Sequence, residues 1–265
     1  MSAPAHTAGV VRALLRASLA LAFQYRLEFL VEGALALLWV GVTLVPLWVV
    51  FGTRPEVAGW SFAEVLMVIG WFTALKGFLE GLVSPSLLGV VEHVRKGTLD
   101  FILVKPADAQ LLVSLQKIEP WRIIDLASAV GIFSYGFHLL ARTPTLAQVA
   151  ASLVMLLAAL VVLYAIAIAV ISIAFFAVRV DNLLFLFQSL FDVARWPSSV
   201  FRGVLSLVFT YVLPLALMTT YPALALLGKL TLPTALGAIA GTAVFALLSR
   251  LIWRFSLRRY SSASS

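Results

Sequence analysis

Glu92-His93-Val94-Arg95-Lys96-Gly97-Thr98-Leu99-Asp100-Phe101-Ile102-Leu103-Val104-Lys105-Pro106 is a charged island between two long apolar regions. Glu92, Arg95, Lys96, Asp100 and Lys105 cannot reside in hydrocarbon, so this stretch divides the chain into membrane-seeking parts on either side of an aqueous loop. Gly97 predicts the end of a short helix at Arg95 and Lys96, because glycine adopts the left-handed conformation common just past a helix terminus. Pro106 closes the unit. A short helix of this kind, slung beneath a membrane between two spans, reads either as a contact surface for a soluble partner or as a solvated positive-inside loop.

The composition outside the island agrees. Of 265 residues, 62% are hydrophobic and 12% charged, with a mean hydropathy of +1.06; soluble domains carry charge on roughly a quarter of their residues. This is the composition of an all-α integral membrane protein, a single transmembrane domain over 1–265. The net charge of +7, from 19 Lys and Arg against 12 acids, calls for no nucleic acid, because basic residues hold cytoplasmic loops on their side of the bilayer. The absence of cysteine excludes disulfides and thiol chemistry. His6, His93 and His138 are scattered and build no metal site by themselves.

Before the island, Val10–Glu28 has no signal-peptide form and reads as an interfacial amphipathic helix, with Arg12, Arg16 and Arg26 set among apolar residues at helical spacing. Gly33–Phe51 is uncharged and long enough for a first span. Arg54-Pro55-Glu56 makes a short external turn, and a second span runs from about Phe62 to Val83. Lys76 and Glu80, four apart near its inner end, form a candidate structural ion pair. Gly77 and Gly81 provide a G-x-x-x-G spacing suited to close helix packing.

After it, the internal loop 84–119 ends at Pro120-Trp121-Arg122, and a third span covers Ile123–Ala141, with Arg122 and Asp125 a second candidate pair. One long fourth helix fits the uncharged run Thr143–Val178, and its alanines favour close helix contacts. Two readings of 182–228 stand. Either the first part is interfacial and Gly203–Gly228 is the fifth span, or Asn182–Trp196 is the fifth span and 198–228 folds back as extracellular re-entrant helices. Pro214 and Pro222 favour the second, since broken helices at membrane depth persist where protein or water covers them. Asp192 and Arg195 are then a third candidate pair. Leu230–Ser249 is the last span, carrying Gly237 and Gly241, and the arginines after it place the C-terminus inside. Six transmembrane helices with both termini cytoplasmic result.

The pattern R-K-G-x-L-D-x-x-L-x-K-P, carried by Arg95, Lys96, Gly97, Leu99, Asp100, Leu103, Lys105 and Pro106, resembles the loop after the second span of type-2 export permeases. These are membrane subunits of ATP-binding-cassette exporters, and the likeness is to a bacterial branch formerly treated as a family of unknown function. It continues through Ala107, Asp108 and Leu111 to Leu115 and, as a layout of spans, covers nearly the whole chain. The resemblance implies an elbow helix before the first span, a cytoplasmic coupling helix between helices 2 and 3, and re-entrant extracellular helices before helix 6. It implies a bacterial inner-membrane location, a separate cassette ATPase dimer holding the ATP and Mg, and a second permease chain, different or identical. Glu92, Arg95, Lys96, Gly97 and Asp100 are then the ATPase-coupling residues, and no cofactor sits on this chain.

The chain's own chemistry is consistent with borrowed energy. No G-x-x-x-x-G-K-[ST] loop, G-x-S-x-G elbow or H-E-x-x-H pair occurs. No series of intramembrane acids suggests an ion-coupled carrier; that carrier, or a scaffold without transport, is the alternative to an exporter of lipid-like, drug-like or amphiphilic substrates.

Overall fold

The computed structural model describes residues 26–105, 108–176 and 181–259. The expected elbow helix over 10–28 therefore lies outside the described residues except for its last positions, as do Pro106 and Ala107.

Helix α1 spans Arg26–Thr53 and contains Pro46, which hydrophobic spans tolerate. A two-residue hairpin joins strands β1, Glu56–Val57, and β2, Trp60–Ser61. Its corner, Ala58 and Gly59, has positive φ at both positions, as a hairpin whose turn follows the strand twist requires. Ser61 then caps α2, Phe62–Phe78, in a reciprocal box with Glu64.

The second span does not stop at Val83. A π-helical turn, Leu79–Val83, carries α2 into α3, Ser84–Lys96, and Phe62–Lys96 is one helical run of 35 residues. At 1.5 Å per residue this is about 52 Å, well beyond a hydrocarbon core of about 30 Å. The charged island begins as the projecting end of a span and is not a detached helix. Pro85 permits this because the bond it cannot donate is replaced: the Gly81 carbonyl accepts from the Glu119 N–H at 2.8 Å, so the returning loop is stitched to the helix where proline would weaken it.

Beyond Gly97 come α4, Asp100–Leu103, and α5, Ala109–Ser114, capped by the Asp108 side chain. A 3-10 turn, Pro120–Arg122, leads into α6, Ile123–Leu139, of 17 residues. Helix α7, Leu146–Ser172, starts at a Thr145–Gln148 capping box. Ala158, Ala159, Ala165 and Ala167 of its alanine-rich middle are buried, and α7 is the central post of the larger core cluster.

Helix α8, Asp181–Phe191, gives way to a 3-10 turn, Asp192–Arg195. A bent pair follows, Val204–Val212 and Ala216–Leu226, at 66°, its second arm ending in α9, Tyr221–Leu226. The flanks of this pair meet the same end of α2. Trp60 Nε1 donates to Ser199 Oγ at 3.1 Å, and Lys229 Nζ lies 2.6 Å from Glu64 Oε1. The segment from 199 to 229 therefore leaves and returns at the same end of α2, bent at Pro214. The last helix, α10, is Leu232–Arg259.

Among the described residues four helices are long and apolar enough to cross a membrane: Phe29–Thr53, Phe62–Lys96, Leu146–Phe175 and Leu232–Arg259; the bent pair, taken as one span, would be a fifth. Helix α6, about 26 Å long, and the eleven-residue α8 fall short of that length. Large apolar side chains, among them Leu38, Trp39, Leu247 and Phe255, stand exposed along α1 and α10. In water such a surface would drive aggregation; against acyl chains it is matched.

Candidate functional site

The end of α3 is amphipathic. Leu87, Val90 and Val91 are buried while Glu92, Arg95 and Lys96 face outward. Glu92 and Lys96 pair at 2.6 Å across one turn. Gly97, at φ 67°, stops the helix, and Thr98 N–H returns to the His93 carbonyl at 3.0 Å, the double-back that a left-handed glycine allows. In α4, Leu99 and Ile102 point into the core while Phe101 and Val104 are 73% and 80% exposed. Among the described residues Arg95 and Asp100 form no ion pair, so both charges remain open beside this apolar pair.

At the level of the π turn, five of the six residues of the three candidate pairs, all but Arg195, meet in one chain of charges. Asp192 is 3.2 Å from Lys76, Lys76 3.7 Å from Glu80, Glu80 2.5 Å from Arg122, and Arg122 3.4 Å from Asp125. The order is strictly alternating, so each charge in the series faces the opposite sign, which is what burial demands. Asp125 is 4% exposed. Asp192 and Arg195 do not pair with each other through their side chains, contrary to the spacing argument. The tighter 3-10 turn brings Arg195 Nε onto the Asp192 backbone carbonyl at 2.7 Å, and the freed carboxylate goes to Lys76. Lys76 and Arg195 also lie 5.8 and 5.9 Å from the Phe72 ring centroid, within cation–π range.

A polar cavity of about 490 Å³ joins this cluster to the helix end, lined by Glu80, Ser84, Glu92, Lys117, Glu119 and Arg122 among others. Across it Gln188 Nε2 donates to Ser84 Oγ at 2.9 Å, tying α8 to the start of α3.

One anchor of the loop has no counterpart in the linear spacing. Asp108 binds Arg250 near the inner end of α10, and Gln110 and Ser114 both reach the Tyr164 hydroxyl, at 3.2 and 2.7 Å. The partners are separated by 142 residues for the first contact, so no helical repeat could reveal it. The hydrogen bond from Arg250 is the largest influence on Asp108 and, with a smaller opposing push from burial, holds its carboxyl below the usual carboxylate range. With the folded value depressed, the pair's contribution is complete above the unfolded value of about 3.9 and disappears as pH falls through the folded one. Hydrogen exchange of 99–115 is expected to be constant from neutral pH to about 5, after correction for intrinsic rates, and to accelerate below about 4. In Asp108→Asn that acid limb should be absent, with faster exchange already at neutral pH.

Helices of membrane-crossing length, exposed apolar flanks and one folded, charge-bearing loop define a polytopic membrane protein. The family model for ABC-2 family transporter proteins matches residues 37–264, and the chain belongs to that family: it is a transmembrane permease of the ABC transporters. No curated protein and no solved structure matches the chain significantly. Among the described residues no group of His, Asp or Glu is arranged to hold a metal ion.

Proposed function

We propose that this chain is the translocation subunit of an ATP-driven exporter, energised by a separate cytoplasmic ATPase dimer that carries the ATP and Mg²⁺ and grips the Glu92–Asp100 end of α3. The observation that carries the reading is the unbroken run Phe62–Lys96: a push on its charged tip is delivered to the Lys76–Glu80–Arg122 cluster without a flexible joint. The open charges of Arg95 and Asp100 and the exposed Phe101 and Val104 supply polar register and apolar contact area for a partner groove. Gly97 fixes the turn between the two.

In this reading six helical crossings are reached by counting α6 with its leading 3-10 turn and α8 with the 3-10 turn that follows it, the 199–229 hairpin staying on the outer side. Both termini are then cytoplasmic, in the inner membrane of a bacterium. A second permease chain, identical or different, completes the pathway, and the apolar inner faces suit lipid-like or amphiphilic substrates. Each carboxylate of the cluster, Glu80, Asp125 and Asp192, already faces a basic side chain, which disfavours an ion-driven carrier.

The test is affinity purification from the native membrane with ATP hydrolysis measured on the eluate. A cassette ATPase should co-elute, and Arg95→Glu with Asp100→Arg should release it or abolish the stimulation of its hydrolysis by this chain. A chain that elutes without a nucleotide-hydrolysing partner and transports in step with an ion gradient would overturn the proposal.

A further inference from the structure

A second cavity, of about 800 Å³, opens at the end of the bundle opposite the charged loop, between α6, α7 and α9. Its walls are aromatic, with Trp71, Phe133 and Phe137, and its mouth carries His138 and Arg142. Trp71 packs on Phe133 at a centroid distance of 4.8 Å. The Trp71 side chain is only 6% exposed, and its Nε1 is buried with no acceptor. Arg142 is held at the mouth by one bond from its guanidinium to the Leu227 carbonyl at 3.2 Å, which leaves most of its donors unused.

The lining contains no carboxylate, and the N-terminal end of α7, begun at Thr145, adds the positive pole of a helix dipole beside the mouth. On the side away from the core the wall is formed by Val130 and Leu153, 63% and 48% exposed. The cavity is thus cationic at an aqueous rim, aromatic within and open sideways toward acyl chains.

We propose that this cavity is a binding site for an anionic phospholipid, with the phosphate at Arg142 and His138 and the acyl chains laid over Phe133 and Phe137. A water-soluble anion has no use for the lateral apolar opening, and a zwitterionic lipid would bring its ammonium to a rim with no acid to receive it. The site lies away from the ATPase-facing loop and holds whether or not ATP drives the chain.

The experiment uses the full chain in phosphatidylcholine nanodiscs, doped with phosphatidylglycerol carrying a diazirine in its acyl chain or with the matching phosphatidylcholine probe. Peptide mapping after irradiation should place about fivefold more phosphatidylglycerol than phosphatidylcholine label on 130–153, the ratio that about 1 kcal/mol from one basic residue corresponds to. Arg142→Gln should remove the excess and Arg142→Lys should keep it. Leu153→Trp, which disturbs no polar contact of the turn, should fill the cavity and suppress both probes with the thermal midpoint unchanged. Equal labelling by the two lipids, or an excess that survives Arg142→Gln, overturns the assignment.

Discussion

Replacing Arg122 by alanine should destabilise the protein by about 3–5 kcal/mol, the range for removing one partner from a buried ion pair. Arg122 stands between Glu80 at 2.5 Å and Asp125 at 3.4 Å, with side-chain exposures of 24%, 22% and 6% for Arg122, Glu80 and Asp125. Its loss strands two carboxylates where little water reaches them. Lys76 cannot compensate, since it is already shared between Glu80 and Asp192. Reversible unfolding in mixed micelles measures the difference. The triple change Arg122→Leu, Glu80→Gln, Asp125→Asn should recover most of it, because no charge is then left unpaired. A single-variant loss below about 1 kcal/mol, the level of a solvated surface pair, would mean that the cluster is hydrated and structurally idle. The triple variant also separates stability from coupling: it restores the fold while removing the polar tie between α2 and α6 that the lever reading requires.

Parts of this site were legible in the linear chain because they are short-range. Lys76 and Glu80 share a helix face by spacing alone, as do Arg122 and Asp125, and Gly97 announces the end of α3 by its conformational freedom. The links that join those pairs were not legible. Glu80 meets Arg122, and Lys76 meets Asp192, only after α2, α6 and α8 have packed, and no local periodicity encodes that. The continuation of the helix past Val83 was not legible either: the Gly81 carbonyl that Pro85 leaves unsatisfied is taken by Glu119 N–H, a contact made only once the loop has folded back. The bend in 199–229 was half legible: Pro214 marks its corner, but that both flanks meet the start of α2 depends on Ser199 and Lys229 finding Trp60 and Glu64. Asp192 shows why the spacing rule has a limit. Its three-residue offset to Arg195 suits an α-helical pair, and the chain there is a 3-10 turn, which points the guanidinium at a carbonyl instead.

The two G-x-x-x-G spacings offer the sharpest contrast between a motif and its surroundings. A Cβ at Gly77 would lie 2.9 Å from the Asp125 Cβ and 3.3 Å from the Arg122 carbonyl oxygen. Neither atom is the loose end of a side chain, so α2 and the start of α6 would have to separate. Gly77→Val adds two further methyl groups at that contact. It should cost about 1–3 kcal/mol from overpacking alone, and more in total because the separation also pulls Arg122 and Asp125 away from Glu80 and Lys76. At Gly81 the first obstacles are the Arg122 Cβ and Cγ, at 2.9 and 3.3 Å, again not the loose end of a side chain, so Gly81→Ala should also push the turn at Arg122 away and displace its guanidinium. Gly237, in the second motif, meets nothing within 4 Å. Gly237→Val should change the stability of the single chain by no more than about 0.5 kcal/mol, since exchanging glycine for a better helix former offsets any loss at an open face. Unfolding of Gly77→Val and Gly237→Val in the same micelles decides the matter: equal effects would mean that the close approach of α2 to α6 does not hold the charge cluster together.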